Sequence, residues 1–489
     1  MASLTENAAA LIVANGLKYA VGFILPMMLV RWMSQGEYGT YQQLILLSNI
    51  GSTLMMLGLP MSVYYFYRRS HAPTLIAQTQ IILVASGLVT GIAIVALAPT
   101  LAARFHDAGL RQLLPIFAIY VALNIFSELF MNVMISQGRY RLEVTLELLE
   151  TVVRVSLLVT IVALGYSLRA LVFGLIGYAT FRLIFRSYWV WTGTDSVRKA
   201  SWSSRFPGAQ LAYSLPLAAS NGVGVIGNLL DKMIVAFSFV PIDYAVYSVG
   251  ALEIPLDSIF QVSVANVLRA SFPSLIAEGR HQEVVRIWQE SVRKLSLVMI
   301  PSFVFFSVFA SRVISTLFTA RYEASVIVFH VYLLLIPQYM LILSVVPQVF
   351  GKTRLNLYVA IQALITNSLL SLILLRYLGM LGPAVALVAS SYLASLTYLL
   401  IASKLLGIRI IDLLPLKSLA RATFAASVAG LIAFVLEIIS RGWLSVILGG
   451  IAFVCAFAVV AYLVGALRLS DVENIRAWIR RILPKPMTR

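Results

Sequence analysis

The sequence predicts an all-α polytopic membrane protein with about fourteen transmembrane helices. Two pseudo-symmetric six-helix lobes surround a central cavity, and two further helices follow at the C-terminal end. Three observations carry this: a lipid-like composition, long apolar runs, and an internal repeat. Of the 489 residues, 60% are hydrophobic and only 12% charged, and the mean hydropathy is +0.91. A soluble chain is about half apolar and about a quarter charged. A larger soluble core does not explain the bias, because long soluble chains divide into domains that each need a polar surface. Lipid as solvent does.

The apolar runs are long enough to span. A bilayer core of about 30 Å needs about 20 mostly apolar residues in helical form. Fourteen segments qualify: 9–31, 41–66, 74–99, 112–136, 144–165, 169–191, 209–239, 244–270, 294–317, 324–348, 356–376, 380–404, 417–439 and 443–467. Their apolar residues run all round the helix, without the alternation of barrel strands. Pro26, Pro216, Pro255, Pro337 and Pro347 fall inside them, which bilayer helices tolerate when neighbours satisfy the freed backbone. The N-terminal stretch has no basic leader and carries Glu6, so it reads as a first span rather than a cleaved signal. Cys455 is the only cysteine, which sets aside disulfides, zinc ribbons and iron–sulfur clusters.

The net charge of +17 reports orientation. Seventeen Lys and Arg residues sit in even-numbered turns against eight in odd-numbered ones. The positive-inside rule makes the even side cytoplasmic. Both termini then lie inside, and no nucleic-acid partner is needed to explain the charge. Two basic cytoplasmic stretches read as surface-lying connectors on anionic membrane lipid. One runs from Leu275 to Lys294; the other is a tail helix opened by a Ser470–Glu473 capping box.

The repeat sets the domain organisation. Asn15-Gly16 recurs as Asn221-Gly222, and Glu37-Tyr38-Gly39-Thr40-Tyr41 recurs as Asp243-Tyr244-Ala245-Val246-Tyr247 (247 − 41 = 206). Gly138-Arg139-Tyr140-Arg141 recurs as Gly351-Lys352-Thr353-Arg354 (351 − 138 = 213). The copies are six spans apart, so they share one orientation, as in parallel-repeat transporters. The resulting division is an N-lobe at 1–191, a polar linker at 192–208, a C-lobe at 209–405, extra spans at 406–467 and a basic tail at 468–489.

Charges at bilayer depth cost at least about 2.5–3.5 kcal/mol each, so they face a cavity or a partner. They fall here in stripes. Span 1 has Asn15, Lys18 and Gly22, and span 4 has Asn124, Glu128 and Asn132. Span 5 has Glu143, Glu147, Glu150 and Arg154, for which a Glu150–Arg154 pair at i, i+4 is the simplest arrangement. Span 7 has Asn221, Gly224, Asn228, Asp231 and the adjacent Lys232, and span 8 has Glu253, Asp257 and Gln261. Arg182 and Arg269 lie nearer the cytoplasmic ends, where snorkelling accounts for them. Lys18 has no acid within a turn on its own helix, and it reads as a ligand for an anionic group. Gly222 to Gly227 spells GxGxxG inside a span, without the strand that a nucleotide site needs. The four histidines lack metal-ligand spacing, no Asp-x-Asp occurs, and no loop is long enough for a catalytic domain. The chain therefore reads as a non-enzyme without cofactors.

Leu29-Val30-Arg31-Trp32, Gly36-Glu37-Tyr38-Gly39-Thr40-Tyr41 and Leu57-Gly58-Leu59 resemble the opening of the bacterial polysaccharide-export flippases. These belong to the multidrug/oligosaccharidyl-lipid/polysaccharide exporter superfamily. Tyr213 to Leu217, Asp231-Lys232 and Tyr247-Ser248 resemble the start of that family's second lobe, and Tyr377 to Ala384 its later spans. The resemblance implies alternating access and a polyprenyl-diphosphate-linked oligosaccharide, moved from the cytoplasmic to the outer leaflet, with a polysaccharide polymerase and chain-length machinery as partners. A diphosphate needs cations and amide donors; Lys18, Arg154, Asn15, Asn221, Asn228, Lys232 and Arg269 are the candidates. Gln42, Gln43, Asn49, Tyr64, Gln338 and Gln348 offer edges for sugars. The alternatives of the same fold are a cation-coupled multidrug antiporter, with Asp231, Glu128 or Asp257 as coupling acid, and a lipid II flippase.

Overall fold

The computed structural model describes residues 22–67, 72–192, 206–252, 254–439, 443–469, 471 and 473. At 72, 206–207, 255–258, 439 and 443–446 it describes the backbone alone. Lys18, Asn15, Glu253 and the Ser470 cap lie outside the described residues, as does the side chain of Asp257.

Every element among the described residues is a helix, and all fourteen predicted segments are met by one or more. Span 1 is represented by α1 (Gly22–Trp32). Span 2 is broken into α2 (Gln35–Met55) and α3 (Leu59–Phe66), bent by 41°. The break lies at Leu57 and Gly58, both left-handed at φ 52° and 66°. Gly58 also packs closely: a Cβ there would meet Ser214 O at 2.6 Å. Spans 3 to 6 are α4 (Ala72–Arg104), α5 (Leu110–Ser136), α6 (Tyr140–Ala163) and α7 (Leu168–Thr192). Span 7 is α8 (Phe206–Ser238), and span 8 is divided into α9 (Pro241–Gly250) and α10 (Pro255–Ala277). Proline lacks an N–H and suits a first helical turn, which is where Pro241 and Pro255 stand.

Span 9 becomes α11 (His281–Val308) and α12 (Ala310–Phe318). The Leu275–Lys294 stretch is therefore not a separate surface-lying connector. It turns at Gly279 (φ 72°), and from His281 it is the first half of one unbroken helix. Span 10 is the most broken, as α13 (Ser325–Leu333), α14 (Ile336–Tyr339) and α15 (Val345–Val349). Then come α16 (Thr353–Leu378), α17 (Leu381–Leu406), the short α18 (Ile410–Leu413), α19 (Leu416–Ile439) and α20 (Trp443–Leu463). Among the described residues eight helices are long and apolar enough to cross a membrane, or nine with the bent α2–α3 pair. The 24-residue α6 is not among them, because Glu147, Glu150 and Arg154 fall within its apolar stretch.

The repeat read from the sequence sets the helix starts. α2 begins at Gln35 and α9 at Pro241 (241 − 35 = 206). α6 begins at Tyr140 and α16 at Thr353 (353 − 140 = 213), and α7 and α17 begin at Leu168 and Leu381 (381 − 168 = 213). The turns into α6 and α16 use left-handed glycines, Gly138 at φ 76° and Gly351 at φ 69°. α2 and α9 pack on each other so closely that a Cβ on Gly39 would lie 1.8 Å from Pro241 O.

The described chain divides into two compact units, one up to Ala251 with Ala360–Ser390, the other Leu252–Val359 with Ser391 onward. In the first, α5 packs on α4 and α7, α6 on α7, and α2 on α8 and α9. In the second, α11 packs on α10 and α19, and α19 on α20. Ala425, Ala429 and Ala433 on α19 are fully buried there; small residues let membrane helices approach.

Candidate functional site

The first unit holds a buried ion lattice on α5, α6 and α7. Two helix periods build it. Glu143, Glu147, Glu150 and Arg154 recur at three- and four-residue steps along one side of α6, and Arg182 and Arg186 stand one turn apart on α7. Because α6 packs on α7, acids and guanidinium groups meet across the seam.

Arg186 is the centre, with only 1% of its surface exposed. Its Nε and Nη2 donate to the two carboxylate oxygens of Glu150 at 2.7 and 2.9 Å, and its Nη1 donates to Glu143 at 2.9 Å. Arg182 donates to Asn124 Oδ1 at 2.8 Å and to Glu128 Oε2 at 3.0 Å, and its Nε lies 3.6 Å from Glu150. A fork-to-fork guanidinium–carboxylate contact gives two charge-assisted bonds at once. That geometry explains why Glu150 pairs across to α7 rather than with Arg154 on its own helix. It also corrects the snorkelling expectation for Arg182, whose side chain is 15% exposed and lies inside the lattice.

Arg154 stands apart. Among the described residues it enters no ion pair, and its Nε is buried without a hydrogen-bond acceptor. It lies within electrostatic reach of the phenol groups of Tyr41, Tyr120 and Tyr178, from α2, α5 and α7. All three tyrosines are buried. A guanidinium in a bilayer-depth setting with donors to spare is equipped to hold an anionic oxygen, and aromatic edges beside it suit a sugar ring.

The other sequence candidates are distributed differently. Glu128 is committed to Arg182. Asp231 on α8 is fully buried and accepts from the Tyr247 hydroxyl at 2.6 Å. Neighbouring Lys232 is half-buried, and Asn228 is exposed. Asn221 is exposed and donates to Met61 S at 3.2 Å. Arg269 belongs to the second unit, where it donates to Gln348 and Asn266, both at 2.9 Å. Gln43 is spent on structure: fully buried, it donates to Phe105 O at 3.1 Å. Sequence reasoning missed Arg186, Tyr120 and Tyr178. The signal for Arg186 was present, since Arg182 and Arg186 put two cations on one face of a helix next to a three-glutamate face.

No curated protein sequence matches this chain. The solved structure of the lipid II flippase MurJ in an inward closed conformation matches with a TM-score of 0.71 at 14% identity, covering 92% of this chain and 97% of that one. An inward-facing multidrug resistance MATE family transporter of the MOP superfamily matches with a TM-score of 0.63 at 14% identity, over 81% and 95%. A MOP superfamily transporter from Pyrococcus furiosus, described as having a binding pocket of reverse polarity, matches at 0.55 and 13% identity, over 82% and 95%. At these identities the likeness shows the fold. The family model described as polysaccharide biosynthesis protein matches residues 28–327, which include the whole lattice. Since that match covers more than half of the sequence, the chain belongs to the polysaccharide biosynthesis protein family, as a multi-pass membrane protein with the MurJ- and MATE-like transporter fold.

Proposed function

We propose that the protein is a flippase that carries a polyprenyl-diphosphate-linked oligosaccharide from the cytoplasmic to the outer leaflet of the bacterial inner membrane, opening alternately to the two sides. The observation that carries this reading is Arg154. It is a guanidinium at membrane depth with a buried, unaccepted Nε, beside a lattice in which Arg182 and Arg186 are already neutralised. A diphosphate headgroup supplies the acceptors that Arg154 lacks, and Tyr41, Tyr120 and Tyr178 offer surfaces to the first sugars. Lys18 and Asn15 are the proposed partners on span 1, with Asn221, Asn228 and Lys232 on α8.

Membership of a polysaccharide biosynthesis family supports a saccharide cargo over a drug. The engagement of Glu128 by Arg182 and of Asp231 by Tyr247 leaves two of the three candidate coupling acids committed. Two parallel lobes at 1–191 and 209–405, both termini cytoplasmic, remain the proposed organisation, supported by helix starts that recur at fixed offsets. A polysaccharide polymerase and chain-length machinery are the proposed partners.

In a strain lacking the native gene, Arg154→Gln is expected to lose surface polysaccharide and accumulate lipid-linked repeat units on the cytoplasmic face, at unchanged protein level. Arg154→Lys, which keeps a charge but not the fork, is expected to restore part of the export. Full complementation by Arg154→Gln removes Arg154 from the mechanism.

A further inference from the structure

The second unit carries a basic cavity that the transport reading does not use. It occupies about 610 Å³ between the first turns of α11, the start of α19 and the turn after α20. Arg286 and Lys294 line it from α11, Ser418 from α19, and Arg468 from the turn.

The cavity is built. Arg293, 4% exposed, donates to Asp471 at 2.8 and 3.0 Å and to Ala466 O at 3.1 Å, so it ties the turn after α20 to α11. Asp471 also accepts from the Arg468 backbone N–H at 3.1 Å, which fixes where Arg468 enters the cavity. Glu290 is the one acid in the lining. Its carboxylate is spent on Arg293 at 2.6 Å, with Arg468 at 3.6 Å and Lys294 at 3.9 Å beyond it. Among the described residues Arg293, Lys294 and Arg468 have two acids between them, Glu290 and Asp471, and Arg286 is exposed with no ion pair. The lining is left with a surplus of positive charge.

Its setting identifies the ligand class. α11 and α19 are both apolar enough to cross a membrane, and the cavity sits at their basic ends, the side that the charge pattern of the sequence assigns to the cytoplasm. Leu416, Phe424 and Leu431 are exposed along α19, starting at the cavity mouth. A phosphate in the cavity would have apolar side chains alongside for attached acyl chains. Basic pockets between membrane helices on the cytoplasmic side recognise anionic headgroups.

We propose that this cavity binds the phosphodiester headgroup of an anionic phospholipid, held by Arg286, Lys294 and Arg468, at a site separate from the Arg154 lattice. The test is native mass spectrometry of the purified full chain in detergent, titrated with phosphatidylglycerol, cardiolipin and phosphatidylethanolamine. The anionic lipids are expected to bind in preference to phosphatidylethanolamine. An R286Q/K294Q/R468Q chain is expected to bind them on the order of a hundredfold more weakly, from about fivefold per basic residue. The triple variant leaves Arg293, Glu290 and Asp471 intact. The charge-preserving R286K/K294R/R468K chain must keep the preference, which separates lost charge from lost folding. Equal binding by wild type and triple variant overturns the proposal. So does equal competition by inorganic phosphate, which would make the site a phosphate site. Selective loss of undecaprenyl diphosphate binding would instead assign the cavity to the transport cargo and also overturn it.

Discussion

By their starting residues α6 and α7 recur as α16 and α17, and the two copies differ sharply in charge. Both copies start at residues 213 apart, and α6 and α16 are both entered through a left-handed glycine. A side-chain contact falls close to the same place in both: Arg182 on α7 donates to Asn124 at 2.8 Å, and Ser395 on α17, its counterpart (395 − 182 = 213), donates at 3.1 Å to Gln338, the residue after the counterpart of Asn124 (124 + 213 = 337). Yet the charges belong to the first copy alone. At the offset of 213, Glu143, Glu147, Glu150 and Arg154 are replaced by Asn356, Ala360, Ala363 and Asn367, and Arg186 by Leu399. α16 and α17 form as helices of like length without any charge at those positions. Helix formation here does not require the charges, each of which would cost about 2.5–3.5 kcal/mol if left in lipid alone. The asymmetry fits the transport role proposed for Arg154.

The most severe way to break the comparison is to give the first copy the residues of the second. An E143N/E147A/E150A/R154N/R182S/R186L chain, with Glu128→Gln to avoid an orphaned acid, is expected to be membrane-inserted and monodisperse. Replacing a buried ion pair by well-packed hydrophobic residues of similar volume is often neutral for stability, and α16 and α17 form as helices with the neutral residues introduced here. Export in a complementation strain should fall to the empty-vector level. Sustained export would show that the charges are not transport machinery, and failure to fold would show that the first copy depends on them structurally.

Removing one partner is a different matter from removing all. Arg186→Ala takes from Glu143 its Arg186 partner and leaves Glu150 with Arg182 at 3.6 Å, both carboxylates being buried, and breaking a buried pair costs about 3–5 kcal/mol. The expected signature is a large drop in thermal midpoint of the detergent-solubilised protein, largely recovered in R186A/E143Q/E150Q. A single variant as stable as wild type would mean that water reaches the lattice and the carboxylates are not trapped.

Much of this was legible in the sequence, for reasons that differ by level. The fourteen segments and the two offsets are one-dimensional signals, and helices answer them at Gln35, Pro241, Tyr140 and Thr353. Glu128, Glu150, Arg154 and Arg182 were legible as costly residues. Their partners were not. A single helix shows which residues share its face, but not which neighbour packs there, so Glu150 was assigned to Arg154 at i, i+4 rather than to Arg186 across the seam. Tyr120 and Tyr178 were invisible for the same reason, being ordinary aromatic residues until α5 and α7 bring them near Arg154. The continuity of α11 was missed because its basic, amphipathic first half resembles an interfacial helix.

The other repeated contact sharpens the comparison at a smaller scale. Gly39 and Ala245 occupy the same place in the two copies (245 − 39 = 206), and at Gly39 an ideal Cβ would lie 1.8 Å from Pro241 O. Gly39→Ala must push α2 and α9 apart, at about 1–3 kcal/mol, the range for overpacking. Ala245→Gly should cost about 1 kcal/mol, from helix propensity alone. Thermal midpoints of the two variants would order them, and equal losses would mean that the α2–α9 crossing relaxes freely.

The smallest effect lies in the second unit, at the Arg293–Asp471 pair, where a second acid, Glu290, also holds the guanidinium. Burial alone would push the Asp471 carboxyl up, but hydrogen bonds from Arg293 and the Arg468 backbone N–H, with the charges of Arg293 and Lys294, outweigh it and hold it below the ordinary aspartate range. A carboxylate depressed in the folded state adds stability above its unfolded value, near 3.8, and loses it as pH falls through the lower folded value. At neutral pH Asp471→Asn is expected to cost about 1 kcal/mol, because the amide oxygen still accepts from Arg293 and Glu290 still neutralises it. The difference in thermal midpoint from wild type should stay constant from pH 8 to about pH 5 and close below about pH 4. A gap that persists into strong acid would place the effect in the shape of the turn after α20 rather than in its charge.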